Sequence, residues 1–394
     1  MSRPPVRFAV VGAKGYSLAH LDAVRMLAEK GRARLTASTI VDRADHPDLV
    51  AELEAAGVSI LDAYQAMLDR CHDMVDIVTL PVPIYLHAPM AIAALEAGYH
   101  VLLEKPVAGV LADADWILAA RRASDKQCAV GFQQIYSPLF QTLKRYVVEG
   151  RLGEVKRIRM MALWPRDPAY YGRNEWAGKL YCRGKPVFDS PFNNALAHQI
   201  MNMLYLASPA PRQAAYPART EAELFRAYNI PSFDTGCMRV LTEGGVELVF
   251  AASHACDITV HPTLKLEASR ATVEHVYGGD ATVTYADGAV EVIEQQDPSM
   301  HEFDNLVDLV TGVVQEPLCT LEMARAQLAC VHAVHRAASI VSVPPQWVTE
   351  LESGQRVIAG IGEAVAGCFD SGRLFSELDA PFARREEENH AHSG

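Results

Sequence analysis

Short apolar runs alternate with amphipathic stretches through the first third of the chain, and few folds accommodate that rhythm. Residues 6–12 form an apolar run ending in glycine, which reads as a buried strand followed by a tight turn. Residues 17–30 read as a helix with Leu21, Val24 and Ala28 on one face and Gly31 as its stop. The pattern then repeats: strand 35–41 closed by Asp42, helix 47–56, an extended piece at 58–61, helix 63–70, and strand 75–80 broken by Pro81-Val82-Pro83. Helix 84–97, strand 100–103, helix 112–123 and strand 127–132 complete it. Strands separated by helices at this spacing predict a doubly wound parallel sheet of the α/β class.

After residue 133 the rhythm changes. A connecting helix at 137–149, an alternating strand at 155–164, a polar and aromatic segment at 164–191 and a helix at 194–207 come first. Between 235 and 294 turn signals at Glu243-Gly244-Gly245, Gly278-Gly279-Asp280 and Ala286-Asp287-Gly288 separate several antiparallel strands. Helices at 302–312 and 321–339 follow. The expectation is an α+β domain with a large, mainly antiparallel open sheet carrying helices on one face. A chain of 394 residues suits such a division. We read 1–132 as the nucleotide-binding domain, 133–345 as the substrate-binding and oligomerisation domain, and 346–394 as an extension with a short helix and a disordered, charged tail from Arg384.

Composition narrows the function classes. A formal net charge of −12 argues against a general nucleic-acid binder, since polyanion affinity rests on Lys and Arg. No apolar stretch approaches the ~20 residues that span a bilayer, and no apolar signal segment precedes the first strand. Eight cysteines lie scattered with no CxxC pair, which favours reduced thiols and a cytoplasmic location. His332 and His335 lack a carboxylate or cysteine at matching spacing, and we read no metal site.

The turn after the first strand, Val11-Gly12-Ala13-Lys14-Gly15-Tyr16-Ser17, stands where a dinucleotide fingerprint would stand in a Rossmann sheet. Glycine there permits close backbone approach, and the helix N-terminus offers unpaired N–H groups to a pyrophosphate. The spacing departs from G-x-G-x-x-G: the second and third positions fall on Lys14 and Ser17, and Gly15 lies one residue off. Asp42 is placed to accept hydrogen bonds from a ribose diol, which favours NAD; Arg43 beside it leaves NADP open. Glu104-Lys105-Pro106 closes the strand at 100–103 and sets an amine at the edge of the same cleft. There desolvation or a neighbouring positive charge is expected to lower its pKa towards a useful range. The pairing suggests hydride transfer to or from a nicotinamide with Lys105 handling the proton. Gln133 and Tyr136 follow the last strand of this half and are expected in the cleft.

With the turn, Thr79-Leu80-Pro81, His87 and the run from Ala94 to Pro106 in order, the chain resembles the Gfo/Idh/MocA oxidoreductases, the glucose–fructose oxidoreductase and inositol dehydrogenase relatives. The likeness is strongest over 6–132. It implies an NAD(P)-dependent redox step at a secondary alcohol or ketone of a sugar, polyol or derivative, with Lys105 as general acid/base and substrate ligand. Leu80, Pro81, His87 and Glu104 then fall beside the cofactor; for His87, capping of its own helix is the alternative. The family also supplies an aspartate and, four residues on, a histidine facing the substrate. Asp189 keeps the acid, but Asn193 stands at the fourth position, and an amide orients a hydroxyl without shuttling a proton. Asn194 and His198 lie one helical turn apart, so His198 is the candidate substitute; a packed structural histidine is the alternative.

The segment 164–179 mixes aromatics and cations, among them Arg166 and Tyr170. These suit a sugar ring and its hydroxyls, or a subunit interface. An open sheet face points to a homodimer or homotetramer. Two further readings stay open: an enzyme that recycles NAD while cleaving a glycosidic bond by oxidation and elimination, and a non-catalytic nucleotide-binding subunit.

Overall fold

The structure, a computed structural model, describes residues 4–296 and 301–384. In the first domain strands β1 (Val6–Val11), β2 (Ala33–Thr39), β3 (Ser59–Leu61), β4 (Ile77–Leu80), β5 (His100–Glu104) and β6 (Cys128–Gly131) alternate with helices α1 (Tyr16–Glu29), α2 (Pro47–Ala55), α3 (Tyr64–Arg70), α4 (Ile84–Glu96) and α5 (Leu111–Ala123). The strands pair in parallel in the order β3-β2-β1-β4-β5-β6. Chain order reverses between β1 and β4, so a crevice opens at their carboxyl ends, where the turn 12–15 and Pro81-Val82-Pro83 meet. The strands read as continuous apolar runs because helices cover both sheet faces: Ala9, Val78 and Val101 point into one core layer, Phe8, Val10 and Leu102 into the other.

Helices α6 (Gln133–Tyr136) and α7 (Pro138–Val148) lead into β7 (Val155–Leu163). The polar segment that follows holds helix α8 (Pro168–Gly172) and a hairpin of β8 (Tyr181–Cys182) and β9 (Lys185–Pro186). The helix expected at 194–207 is broken. A wide π-type turn at Pro191–Ala195, capped by the Ser190 hydroxyl accepting from Asn193 N–H, stops at Leu196 before α9 (Ala197–Ala207) begins. Strands β10 (Pro217–Arg226), β11 (Thr235–Thr242), β12 (Glu247–Ser253), β13 (Val260–Ala268), β14 (Ala271–Val276), β15 (Ala281–Tyr285) and β16 (Val290–Ile293) build the second sheet. Helices α10 (His301–Val310) and α11 (Leu321–Ala337) then lead to the edge strand β17 (Ile340–Ser342). The sheet order is β16-β15-β14-β13-β7-β12-β11-β10-β17, antiparallel except where β12 pairs with β7 and β10 with β17. Gly245, Gly278 and Gly288, in the three expected turns, all have positive φ. Strand β10 escaped the sequence reading, since Pro-Ala-Arg-Thr-Glu-Ala-Glu has little β character and its pairing with β11 decides its state.

One face of this sheet packs Ile158, Leu248 and Leu264 against Phe192, Ile200 and Val331. The opposite face is not open at its centre, as the sequence had suggested. Hairpin strands β18 (Val348–Glu350) and β19 (Arg356–Ile358) and helix α12 (Ile361–Ser371) turn back over it, burying Ala364, Val365, Cys368 and Phe375 against Leu163, Cys237 and Ala251. Towards β16, outward residues such as Val290 and Val292 stay exposed. The tail beyond 384 lies outside the described residues. The boundary at 132 stands as a proposed division with one return crossing. Helix α10 packs Phe303, Leu306 and Val307 onto the β1 side of the first domain, and Val130 N–H donates to Cys319 O at 3.2 Å.

The two domains also lock at Gly109, just after the Lys105 loop. A Cβ built there falls 2.0 Å from the Pro186 carbonyl oxygen, while His332 Nε2 sits 3.1 Å from Gly109 O. Gly109→Ala is therefore expected to push the 186–189 segment away and cost about 1–3 kcal/mol, an overpacking penalty readable as a lower denaturant midpoint. An unchanged midpoint would show that the domains do not depend on this contact.

Candidate active site

A cavity of about 1030 Å³ occupies the crevice between the domains. One end is lined by Gly12, Ala13, Lys14, Gly15, Tyr16, Ser17 and Asp42, the other by Lys105, Arg173, Trp176, Asn194 and His198. The nucleotide turn and the strand-end lysine thus share one space, which the order of the parallel strands dictates.

At the first end, Gly12 has φ +107° and a Cβ placed on it would meet Ser17 Oγ at 3.1 Å. Ser17 is buried and donates to Lys14 O at 2.7 Å, which draws the start of α1 against the strand despite the irregular spacing. Gly15, at φ +61°, precedes the first residue of α1, and no side chain caps that helix end. The turn therefore presents free N–H groups and no side-chain obstruction, and it fits a dinucleotide diphosphate. Asp42 is exposed on the cavity wall beyond β2. The neighbouring Ile40, His46, Tyr64 and Met90 also line the cavity. The sequence carries no motif for these four; Ile40 and His46 flank the carboxyl end of β2, while Tyr64 and Met90 reach the crevice from α3 and α4.

Five expected cofactor or cleft residues lie off the cavity. Arg43 is drawn away from the cavity by Asp62, the Ile60 carbonyl and Glu54. Leu80 is wholly buried in the sheet core. His87 is buried with Nδ1 2.8 Å from Pro106 O and Nε2 2.9 Å from Val82 O, so it ties the Lys105 loop to the broken end of β4 and neither caps its helix nor faces the cavity. Tyr136 is buried, its hydroxyl donating to Val130 O. Gln133 stays behind the cavity wall, donating to the Tyr16 hydroxyl at 2.7 Å and to Glu104 Oε1 at 3.4 Å. Glu104, which does reach the wall, is held from the other side by His20 Nε2 at 3.1 Å.

Lys105 Nζ donates to the Asn194 backbone oxygen at 2.9 Å and to its side-chain Oδ1 at 3.2 Å. Asn194 in turn donates from Nδ2 to Asp189 Oδ1 at 2.8 Å, and Gly178 N–H donates to Asp189 Oδ2 at 2.6 Å. With both oxygens occupied and the residue buried, Asp189 stands behind Asn194 and away from the cavity surface. Asn193 likewise turns inward, donating to Val187 O at 3.2 Å. The amide at the reactive end is thus Asn194, one position beyond the family register, because the wide turn at 191–195 rotates it towards Lys105.

Burial lowers the pKa of Lys105, the charges of Glu104 and Asp189 raise it in part, and Arg173 lowers it further. Burial raises the Asp189 carboxyl against the opposing pull of Gly178 N–H, Arg173 and Asn194. His198 is pushed down to about 3 by burial and, secondarily, by Lys105. It is therefore a neutral imidazole at physiological pH, with Nδ1 unpartnered and its ring edge-on to Phe132 at 5.6 Å. Arg166 and Tyr170 lie outside this cavity, in a shallower recess with Asp167 and Gln355. His332 and His335 pack against Phe188. Among the described residues no cluster of His, Cys, Asp or Glu is arranged to hold a metal.

Sheet order, crevice and turn together define an NAD-binding Rossmann domain joined to a mixed-sheet domain. Residues 6–132 match the Gfo/Idh/MocA oxidoreductase family, described as having an NAD-binding Rossmann fold, which is the family the sequence resembles. Among characterised relatives, dTDP-3,4-didehydro-2,6-dideoxy-alpha-D-glucose 3-reductase of Streptomyces antibioticus is 28% identical over 43% of this chain and 49% of its own. Inositol 2-dehydrogenase of Corynebacterium glutamicum is 27% identical over 47% and 50%. The chain thus spans about half the length of these relatives. The solved WlbA dehydrogenase of Chromobacterium violaceum, in complex with NADH and UDP-GlcNAcA, superposes with a TM-score of 0.69 at 22% identity, covering 86% of this chain and 94% of that one. At that identity the likeness speaks for the fold of both domains.

Asp42→Ala is expected to weaken NAD binding roughly 10- to 100-fold, the worth of a hydrogen bond to a charged group, and to narrow the preference over NADP. Titration calorimetry with each dinucleotide checks this; equal NAD affinity in the variant would remove Asp42 from the ribose site.

Proposed function

We propose that the chain is an NAD-dependent dehydrogenase or reductase acting on a secondary alcohol, or its ketone, in a sugar, polyol or sugar derivative. The observation that carries this reading is the placing of one desolvated amine, Lys105 Nζ, in the cavity that begins at the dinucleotide turn. The sugar reductase and inositol dehydrogenase named among the relatives support the substrate class. Gly12, Gly15 and the start of α1 would hold the diphosphate, and Asp42 the ribose hydroxyls. When bound, NAD supplies the hydride acceptor, or NADH the donor.

The rest of the chemistry falls to the chain's own residues. In the oxidative direction Lys105, neutral, accepts the proton of the substrate hydroxyl at Nζ and becomes an ammonium. In the reductive direction the ammonium returns that proton to the carbonyl oxygen. Asn194 fixes the amine by accepting two hydrogen bonds, and Asp189 fixes Asn194 from behind; Asp189 is thus a positioning residue. His198, neutral, is a hydrogen-bond partner for a substrate hydroxyl rather than a proton carrier. Trp176 offers an aromatic face beside the same space. Eight buried free cysteines support a reducing, cytoplasmic setting, and among the described residues no helix is long and apolar enough to cross a membrane. An oligomeric contact, if the chain forms one, is proposed at the exposed β14–β16 end of the sheet.

The direct test is a panel of sugars, inositols and sugar acids with NAD and NADP, followed at 340 nm. Stoichiometric NADH accumulation is expected; none with any alcohol would reject the dehydrogenase. Lys105→Ala should lower kcat by about 10²–10⁴ while leaving NAD affinity nearly intact, since the amine serves proton transfer rather than dinucleotide binding. The pH dependence has a definite sign. Oxidation needs the neutral amine, so its rate rises as pH climbs through the lowered Lys105 pKa, and reduction falls over the same interval. Because the Asp189 charge raises the Lys105 pKa, Asp189→Asn should move the acid limb of kcat/KM for oxidation to lower pH. A shift to higher pH, or none, contradicts the proposed coupling.

A further inference from the structure

Resting on the dehydrogenase reading, we infer that the substrate carries an anionic group, a carboxylate or a phosphate, and that Arg173 at the cavity rim binds it. Arg173 lines the same cavity as Lys105, Asn194 and Trp176, and it forms no ion pair among the described residues. The acids that could neutralise it are engaged elsewhere. Glu175 turns outward to Arg183 Nε at 3.0 Å and the Tyr85 hydroxyl at 2.9 Å. Both Asp189 oxygens are taken by Gly178 and Asn194, and Asp167 Oδ1 accepts from Tyr170 N–H at 2.9 Å.

The guanidinium is also held in place. Its Cζ lies 3.7 Å from the Tyr170 ring centroid and 5.3 Å from that of Trp176, and Nη1 donates to Tyr170 O at 2.5 Å. Arg166 stacks on the same tyrosine at 4.6 Å and likewise has no carboxylate partner among the described residues. Stacking fixes the plane of a guanidinium and leaves its N–H edge free, the arrangement that receives a carboxylate or phosphate through two parallel hydrogen bonds. In a protein of net charge −12, an arginine with no direct ion pair, lining the cavity beside a lysine, favours a negatively charged ligand there. A neutral polyol would leave the Arg173 edge with water and gain nothing from it.

The test compares D-glucuronate and D-gluconate (carboxylates) and D-glucose 6-phosphate (phosphate) with D-glucose and myo-inositol. Each is measured for turnover with NAD and, by calorimetry, for binding to the NADH-loaded protein. At least one acid should show kcat/KM or affinity about tenfold or more above its neutral counterpart, and the better of the two acid types names the group. Arg173→Gln should erase that advantage through KM while NAD affinity holds. Arg173→Lys should recover it only in part, because a lysine cannot present the bidentate edge. Turnover of neutral sugars as good as that of acids, or an acid preference surviving in Arg173→Gln, overturns the inference and leaves the dehydrogenase standing. Acid binding lost in Arg173→Gln with no NADH formed by any substrate overturns the dehydrogenase reading and keeps the anion site. Failure of every acid both to bind and to react overturns the inference as well.

Discussion

A buried cation must find partners, and the hydrogen-bonded line from Lys105 through Asn194 to Asp189 is where this molecule meets that requirement. Removing an ammonium from water is costly, and a group so placed either loses its proton or draws oxygens around it. Here burial lowers the amine's pKa while oxygens gather around it. Two oxygens of a single asparagine accept from the amine, and a carboxylate stands one residue behind, close enough to bias the proton without capturing it in a direct ion pair. Direct contact between Lys105 and Asp189 would hold the amine as ammonium and remove it from base chemistry; the interposed amide leaves it adjustable.

The same constraint explains the local irregularities. The wide turn at 191–195 is a departure from helical geometry, with Leu196 N–H reaching back to Pro191 O at 2.8 Å. It presents both oxygens of Asn194 to one point, which a regular helix would not do. His87 spans the Pro106 and Val82 carbonyls and pins the loop that carries Lys105, while Gly109 lets the 186–189 segment approach from the opposite side. These contacts lie outside the chemistry, yet each limits how far the amine can drift.

How much of this was legible in the sequence follows from how local each signal is. The parallel sheet was, because apolar runs of fixed length between amphipathic helices carry their own period. The place of Lys105 in the crevice was, because a lysine ending a parallel strand of this sheet falls at the carboxyl edge, even though a structural ion pair with Glu104 or another acid was an alternative reading of it. What failed to show depends on partners distant in the chain. Arg43 looks like a cofactor ligand until Asp62 and Glu54 are seen beside it. Tyr136 follows the last strand but turns into the core. Asn193 and Asn194 are indistinguishable as letters, and only the capped turn decides which one faces the amine. The covered sheet face rests on α12, more than a hundred residues from the strands β7 and β12 that it shields.

Electrostatics gives the site a direction as well as a shape. At one end lies an exposed aspartate, proposed above for the ribose hydroxyls; at the other, Lys105 and Arg173 face a common space and neither makes a direct ion pair among the described residues. Burial already lowers the Lys105 pKa, and Arg173 lowers it further. Once an anion is seated on Arg173, that second contribution weakens, and the amine becomes more basic. If Lys105 is the base, as proposed, a substrate carrying negative charge would strengthen the group that deprotonates its own hydroxyl, whereas a neutral one would not. The arrangement couples recognition to proton affinity through charge alone, with no movement of the chain required.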